Sequence, residues 1–311
     1  MPFFDYKNHE IHYEIAGPEG APTVVFINGL VQRAESWAMY TRAITAAGYR
    51  VLNYDLLGQG MSSKPALQVD FEENQVILDA LMGHLGIDSA YICGVSFGGV
   101  TVLKFGVEFP KRVRGLVPMS AFTETDAMMV SIGCNLYEGL VKVGYDYMIR
   151  QFVPINFTSK YIKENELILP VIIKASYTFN EFCAVQNIIE SIQTFKPFTE
   201  DIKKIKSPTL IMNGEHDPLT PRWCHEAMRQ NIKNSKLVLV PNASHAFTVE
   251  NPLLAIKMIL GFIDEVENKK WKGDQSAWIA NENLQSETFA FPCKGNYMST
   301  LPAVDADGGK R

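Results

Sequence analysis

Residues 91–100 read YICGVSFGGV. An apolar run of strand character ends in one serine, Ser96, bracketed by Gly94 and Gly98. The spacing G-x-S-x-G is that of a serine carried on a strained turn between a strand and a helix. A Cβ at either glycine would meet neighbouring backbone, since the helix and strand approach closely there. The same five residues also fit a plain Gly/Ser turn, so the rest of the chain decides between the two.

Outward from this stretch, runs rich in Val, Ile, Leu and Tyr recur: TVVFI (23–27), RVLNY (50–54), AYICGV (90–95), GLVPMS (115–120), TLIMNG (209–214) and KLVLVP (236–241). Each is followed by a helical pattern, which predicts buried parallel strands joined by crossover helices. The opening IHYEIA (11–16) alternates instead and predicts an antiparallel strand at the edge of the sheet. Residues 126–199 lose the strand signal and show helical periodicity rich in Met, Phe and Tyr, which reads as a helical insertion. Residues 1–125 and 200–267 form the expected core. From 268 to 311 the sequence turns polar and irregular, and the expectation is an irregular tail outside the core, with 302–311 mobile. Trp271, Trp278, Phe289 and Phe291 predict that part of this tail docks on the surface.

A serine hydroxyl needs a base, and the base an orienting acid. Asp217 follows TLIMNG in the segment NGEHDPLTP, where the preceding strand delivers it to the carboxyl edge of a parallel sheet. His245 lies in the loop after the last strand, in KLVLVPNASHAFTVENP. His9, His12, His84, His216 and His225 lack that context. The order Ser96, Asp217, His245 differs from the orders found in chymotrypsin-like and subtilisin-like proteases. Acyl transfer also calls for donors aimed at a developing oxyanion. The backbone N–H of Phe97, at the start of the elbow helix, is one candidate, and a second is expected from the loop INGLVQRAESW (27–37).

Composition bounds the partners. With 311 residues, 47% hydrophobic and 20% charged, the chain has the make-up of an ordinary globular protein. A net charge of -5 argues against nucleic acid, which wants a surplus of Lys and Arg. The short basic runs KRVR (111–114) and KKIK (203–206) read as solvated faces, with an acidic carrier protein as the alternative. Five scattered cysteines with no CxxC pair predict reduced thiols packed as small hydrophobes and no metal site. Neither a secretory signal nor a stretch apolar over the ~18 residues of a membrane span is evident, so a cytoplasmic enzyme without a cofactor is expected.

Over residues 10–265 the chain resembles the α/β-hydrolase superfamily, with DLLGQGMS (55–62) similar to the family's D-x-x-G-x-G-x-S turn. The resemblance implies an α/β fold with a mostly parallel central sheet, helices on both faces and the insertion as a helical lid. It implies Ser96 as nucleophile, His245 as base and Asp217 as acid, with Asp126 as competitor for the acid. It also matches the N–H of Leu30 to the second oxyanion donor. Asn28 replaces the histidine common before Gly29 in these enzymes; a loop-supporting role is expected for it and Gly29, as for Gly94 and Gly98. Serine as nucleophile argues against the haloalkane-dehalogenase branch.

The Asn-Gly dipeptide is similar to medium-chain polyhydroxyalkanoate depolymerases, 3-hydroxyacyl transacylases and rhamnolipid-precursor synthases. LIMNGEHDPLTPRWCHEAMRQ (210–230) resembles the transacylases, many esterases and 3-oxoadipate enol-lactonases. Met128, Met129, Tyr145, Tyr147, Met148, Phe152, Phe157, Tyr177 and Phe179 are candidates for lining an apolar acyl pocket. The leading expectation is a hydrolase of esters or thioesters with an apolar, medium-length acyl chain. The alternatives are an acyltransferase using coenzyme A or acyl carrier protein, and an enol-lactonase-like hydrolase of small esters.

Overall fold

In TVVFI every residue is buried, yet alternate side chains serve different cores: Val24 and Phe26 on one face of the sheet, Val25 and Ile27 on the other. That two-sided burial is why the central strands read as unbroken apolar runs. The computed structural model describes residues 2–66, 70, 72–193 and 195–293. The strands are β1 (Phe3–Tyr6), β2 (His9–Ala16), β3 (Thr23–Ile27), β4 (Arg50–Tyr54), β5 (Ala90–Val95), β6 (Val113–Met119), β7 (Thr209–Gly214), β8 (Ser235–Val240), β9 (Ala277–Ala280) and β10 (Ala290–Pro292). They form one sheet in the order β1-β2-β4-β3-β5-β6-β7-β8-β9-β10, parallel from β4 through β9.

The core helices are α1 (Ala38–Ala46), α2 (Glu73–His84) and α3 (Phe97–Glu108). Five follow in the insertion: α4 (Ala127–Lys142), α5 (Tyr145–Asn156), α6 (Ser159–Glu164), α7 (Leu169–Ser176) and α8 (Phe182–Gln193). Then come α9 (Arg222–Asn231), α10 (Phe247–Glu250) and α11 (Pro252–Glu267). Helices α2, α3 and α9 pack on one face of the sheet and α1 and α11 on the other, which is the α/β-hydrolase architecture. The insertion enters after β6, leaves before β7 and carries its own apolar cluster around Leu140, Met148 and Val185. Among the described residues no helix is long and apolar enough to cross a membrane.

Three expectations are corrected. Strand β2 pairs antiparallel with β4 but is not the edge, because β1 folds back on it across a two-residue turn at Lys7 and Asn8, both with positive φ. The segment after Asn268 is not an irregular appendage: β9 pairs parallel with β8, and β10 antiparallel with β9. Trp271 stacks edge-on against Phe262 at 4.7 Å, and Phe289 fills the space over Gly261, which fixes the chain on α11. Phe291 is half exposed on the new edge, and 302–311 lie outside the described residues. Of the five free cysteines Cys93 and Cys224 are buried, whereas Cys134 and Cys183 stand exposed on the insertion.

Candidate active site

Strand β5 ends at Val95 and α3 begins at Phe97, so Ser96 alone makes the turn, with φ 54° and ψ -115°. That left-handed backbone is costly for a residue with a Cβ and persists only where surrounding structure imposes it. Here the surroundings do so. The Ser96 N–H is held by Met119 O of β6 at 2.8 Å. A Cβ on Gly94 would come within 2.5 Å of Gly98 O, and one on Gly98 would run into Ile27 O, so both glycines are required for the strand, turn and helix to nest.

The carboxyl ends of β6, β7 and β8 are stitched together beside this turn. Ser120 N–H donates to Met212 O at 3.0 Å, Glu215 N–H to Val240 O at 2.9 Å and His216 N–H to Ala243 O at 2.8 Å. Ser120 Oγ donates to His245 O at 2.8 Å. Within this frame Asp217 and His245 meet, with Nδ1 to Oδ2 at 2.9 Å and both residues buried. The other Asp217 oxygen accepts the N–H groups of Leu219 (2.9 Å) and Thr220 (2.8 Å), and the Thr220 hydroxyl donates to Oδ2 at 2.6 Å. Burial alone would raise this carboxyl; the His245 imidazole and the Thr220 hydroxyl and amide outweigh it and hold the group below the ordinary carboxylate value. An acid kept ionised against His245 Nδ1 leaves Nε2 as the ring's proton-accepting nitrogen.

The competitors have other employment. Asp126 is exposed and caps α4, accepting from Met129 N–H at 2.8 Å. His225 is fully buried, accepts Ala121 N–H on Nε2 at 3.1 Å and is pushed down to about 4 by that burial, so it stays neutral. His216 faces outward beside Glu215 at 3.7 Å.

The loop after β3 brings Leu30 against Ser96 in the lining of one cavity. Asn28 is fully buried; its Nδ2 donates to Tyr54 O (3.2 Å) and Asp55 Oδ1 (3.3 Å) and its Oδ1 accepts Trp37 Nε1–H at 2.9 Å. Every polar atom of its side chain is thus committed to holding the loop. Gly29 N–H is held by Gln32 Oε1 at 2.9 Å. Asp55 accepts the amides of Ala34 (2.6 Å) and Met61 (2.9 Å), and Ser62 Oγ donates to Asp55 O at 2.7 Å, so the 55–62 turn is a brace beneath the same loop.

The cavity over Ser96 measures about 100 Å³. Of the nine insertion side chains expected to line it, Met129, Met148 and Phe152 do. Met128, Tyr147 and Tyr177 are exposed, Tyr145 bonds Ser176 inside the insertion, Phe157 stacks on Tyr161 and Phe179 lies against Arg33. The sequence reading missed Phe122, just before the insertion, Leu136 of α4, Ile189 and Ile192 of α8, and Leu219 and Thr220 from the turn after Asp217. Helical phase was the available signal: Asp126 as N-cap of α4 turns Met129 inward and Met128 outward. Among the described residues no three His, Cys, Asp or Glu side chains are grouped to hold a metal ion.

Comparison with known proteins agrees with this architecture. The 3-oxoadipate enol-lactonase 1 of Acinetobacter baylyi is 28% identical over 258 residues, 82% of this chain and 93% of its own. The structure of MGS-M2, an alpha/beta hydrolase enzyme from a Medee basin deep-sea metagenome library, superposes with a TM-score of 0.76 at 26% identity, covering 85% of this chain and 97% of that one. An enol-lactonase from Burkholderia xenovorans, 24% identical, shares the fold with a TM-score of 0.77 over 85% of this chain and all of its own. Residues 18–252 match the family described as Serine aminopeptidase, S33. The chain therefore belongs to the S33 serine aminopeptidase family, within the α/β-hydrolase superfamily of hydrolytic enzymes.

Proposed function

We propose that this protein is a serine hydrolase of carboxylic esters or thioesters with an apolar, medium-length acyl chain. One observation carries the reading: the cavity that opens on Ser96 is lined by Leu, Phe, Met and Ile side chains with Ser96, Thr125 and Thr220 as its polar residues, and none of its described lining is charged. Each acyl methylene buried there contributes about 0.8 kcal/mol. An acyl group bearing a carboxylate finds no cation in this lining, and an amino-terminal ammonium finds no carboxylate.

In the proposed reaction Ser96 Oγ attacks the acyl carbon while His245 Nε2 takes its proton. Asp217 holds the resulting imidazolium. The N–H groups of Phe97 and Leu30 receive the oxyanion, a contribution of ~3–4 kcal/mol per donor to the barrier in related chemistry. His245 returns the proton to the departing alcohol or thiol, and water, activated by the same imidazole, releases the acid. The insertion acts as a lid, since α4, α5 and α8 supply half of the residues in the cavity wall.

A chain-length series of p-nitrophenyl esters tests this. We expect kcat/KM to rise from acetyl toward ~C6–C10, each lost methylene costing a few-fold. Activity that peaks at acetyl, or that requires a carboxylate on the acyl group, would favour a small-ester or enol-lactonase reading instead.

A further inference from the structure

The loop that carries His245 is attached to the helical insertion on both sides of the histidine. Ser244 Oγ donates to Ile155 O at 3.3 Å, and Ala246 N–H donates to Asn156 O at 2.9 Å, both acceptors at the carboxyl end of α5. A third attachment runs through Glu250, five residues beyond His245 in α10. One carboxylate oxygen accepts Ser244 N–H at 2.6 Å and the other accepts Thr158 N–H at 2.6 Å, Thr158 being the N-cap of α6. One ionised group thus spans the residue before the base and the joint between α5 and α6. Charge-assisted bonds of this length are about twice as strong as neutral ones.

We propose that Glu250 is a positioning residue: its carboxylate locks the His245 loop to the α5–α6 joint, so that the base is in register with Ser96 only while the insertion is seated on the core. This rests on the triad reading given above. A carboxylate is the side chain the geometry calls for, because both partners are N–H donors. An amide in its place would turn an NH2 group toward one of them.

The test compares wild type, Glu250→Gln, Glu250→Ala, Thr158→Pro and Ser96→Ala, with kcat expressed per active site counted by a serine-directed phosphonate. Thr158 has φ -68° and ψ 155°, which proline adopts without strain, so that substitution deletes the lid-side N–H and leaves Glu250 and Ser244 in place. For Glu250→Gln and Glu250→Ala we expect kcat per site to fall ~10- to 100-fold, the scale of a misplacement of about 1 Å. Thr158→Pro should lower it in the same direction by a smaller factor.

KM should change by much less than kcat, because Glu250 and its partners Ser244 and Thr158 lie outside the cavity lining. A loss of folded protein alone moves neither the per-site kcat nor KM. Glu250 variants with wild-type kcat per site, alongside an inactive Ser96→Ala, would overturn the proposal and leave the triad standing. An unaltered Thr158→Pro would overturn the coupling to the insertion. An active Ser96→Ala would instead sink the triad reading on which both depend.

Discussion

Among the described residues lie two buried Asp–His pairs of nearly equal geometry. His12 Nδ1 lies 2.8 Å from Asp55 Oδ2, and His245 Nδ1 lies 2.9 Å from Asp217 Oδ2. What separates them is the other ring nitrogen and the place on the sheet. His12 sits within β2, and its Nε2 is buried with no hydrogen-bond partner among the described residues. Asp55 meanwhile braces the amides of Ala34 and Met61, and the Gly60 turn closes so tightly on its carboxyl that no Cβ would fit. His245 stands on a loop at the carboxyl edge of the parallel strands, its Nδ1 3.3 Å from the hydroxyl of Thr220, a residue that lines the cavity that opens on Ser96. An Asp–His pair is therefore ordinary structural material; the strand end and a neighbouring cavity that holds Ser96 make one of the two a candidate for catalysis.

The largest expected effects break or uphold that contrast directly. Ser96→Ala or His245→Ala should lower kcat by on the order of 10⁶, because such residues act as a unit. His12→Ala should leave kcat per folded molecule within a few-fold of wild type while lowering the melting temperature. It removes one of the donors to the buried Asp55 carboxylate, a hydrogen bond to a charged group being worth about 1.5–3 kcal/mol, while Asn28, Ala34 and Met61 still hold the carboxylate. Esterase assays normalised to the folded fraction check both, and a folded but inactive His12→Ala would collapse the distinction.

Acid stability sharpens the comparison from the catalytic side. His225, packed near the Asp217–His245 pair, has its value pushed down to about 4 by burial. Its unfolded value is ~6.5, so the unfolded chain binds the extra proton first as pH falls. The stability that neutral His225 confers is complete above ~6.5 and is lost progressively as pH drops toward about 4, by on the order of 3 kcal/mol. Asp217 is shifted below the ordinary carboxylate value, so its contribution is complete above the unfolded value of ~3.9 and disappears as pH falls further through its folded value. Urea denaturation at stepped pH should show the earlier of these two losses vanish in His225→Gln. A wild-type stability flat between pH ~6.5 and ~4.5 would mean that the ring is not held neutral.

Much of this was legible in the sequence where the signal is local. The elbow reads from glycine spacing, and Asp217 and His245 read from their places just after apolar strands. The cavity wall was only partly legible, because one residue along a helix is a rotation of ~100°, and Met128 and Met129 differ in composition not at all but in burial almost completely. The tail was the least legible. Its strands AWIA and AFP are four and three residues long and set in polar sequence; AWIA is defined by pairing with β8, some forty residues back, and AFP by pairing with AWIA. Lys236 of β8, lying 4.8 Å from the Trp271 ring and 4.7 Å from that of Trp278, is part of what recruits them, and no local pattern announces such a contact.

The smallest effect tests how finely the two pairs differ. Oxygen Oδ2 of Asp217 is shared by the His245 imidazole at 2.9 Å and the Thr220 hydroxyl at 2.6 Å, while two backbone amides hold Oδ1. Thr220→Val removes the competing hydroxyl with little change of shape. The amides keep the carboxylate in place, so geometry is preserved and kcat should stay within about 3-fold of wild type; the lost bond to a charged acceptor costs ~1.5–3 kcal/mol of stability. A loss of 100-fold or more would place the Thr220 hydroxyl in the machinery itself, and the Asp217–His245 pair would then depend for its activity on a third side chain.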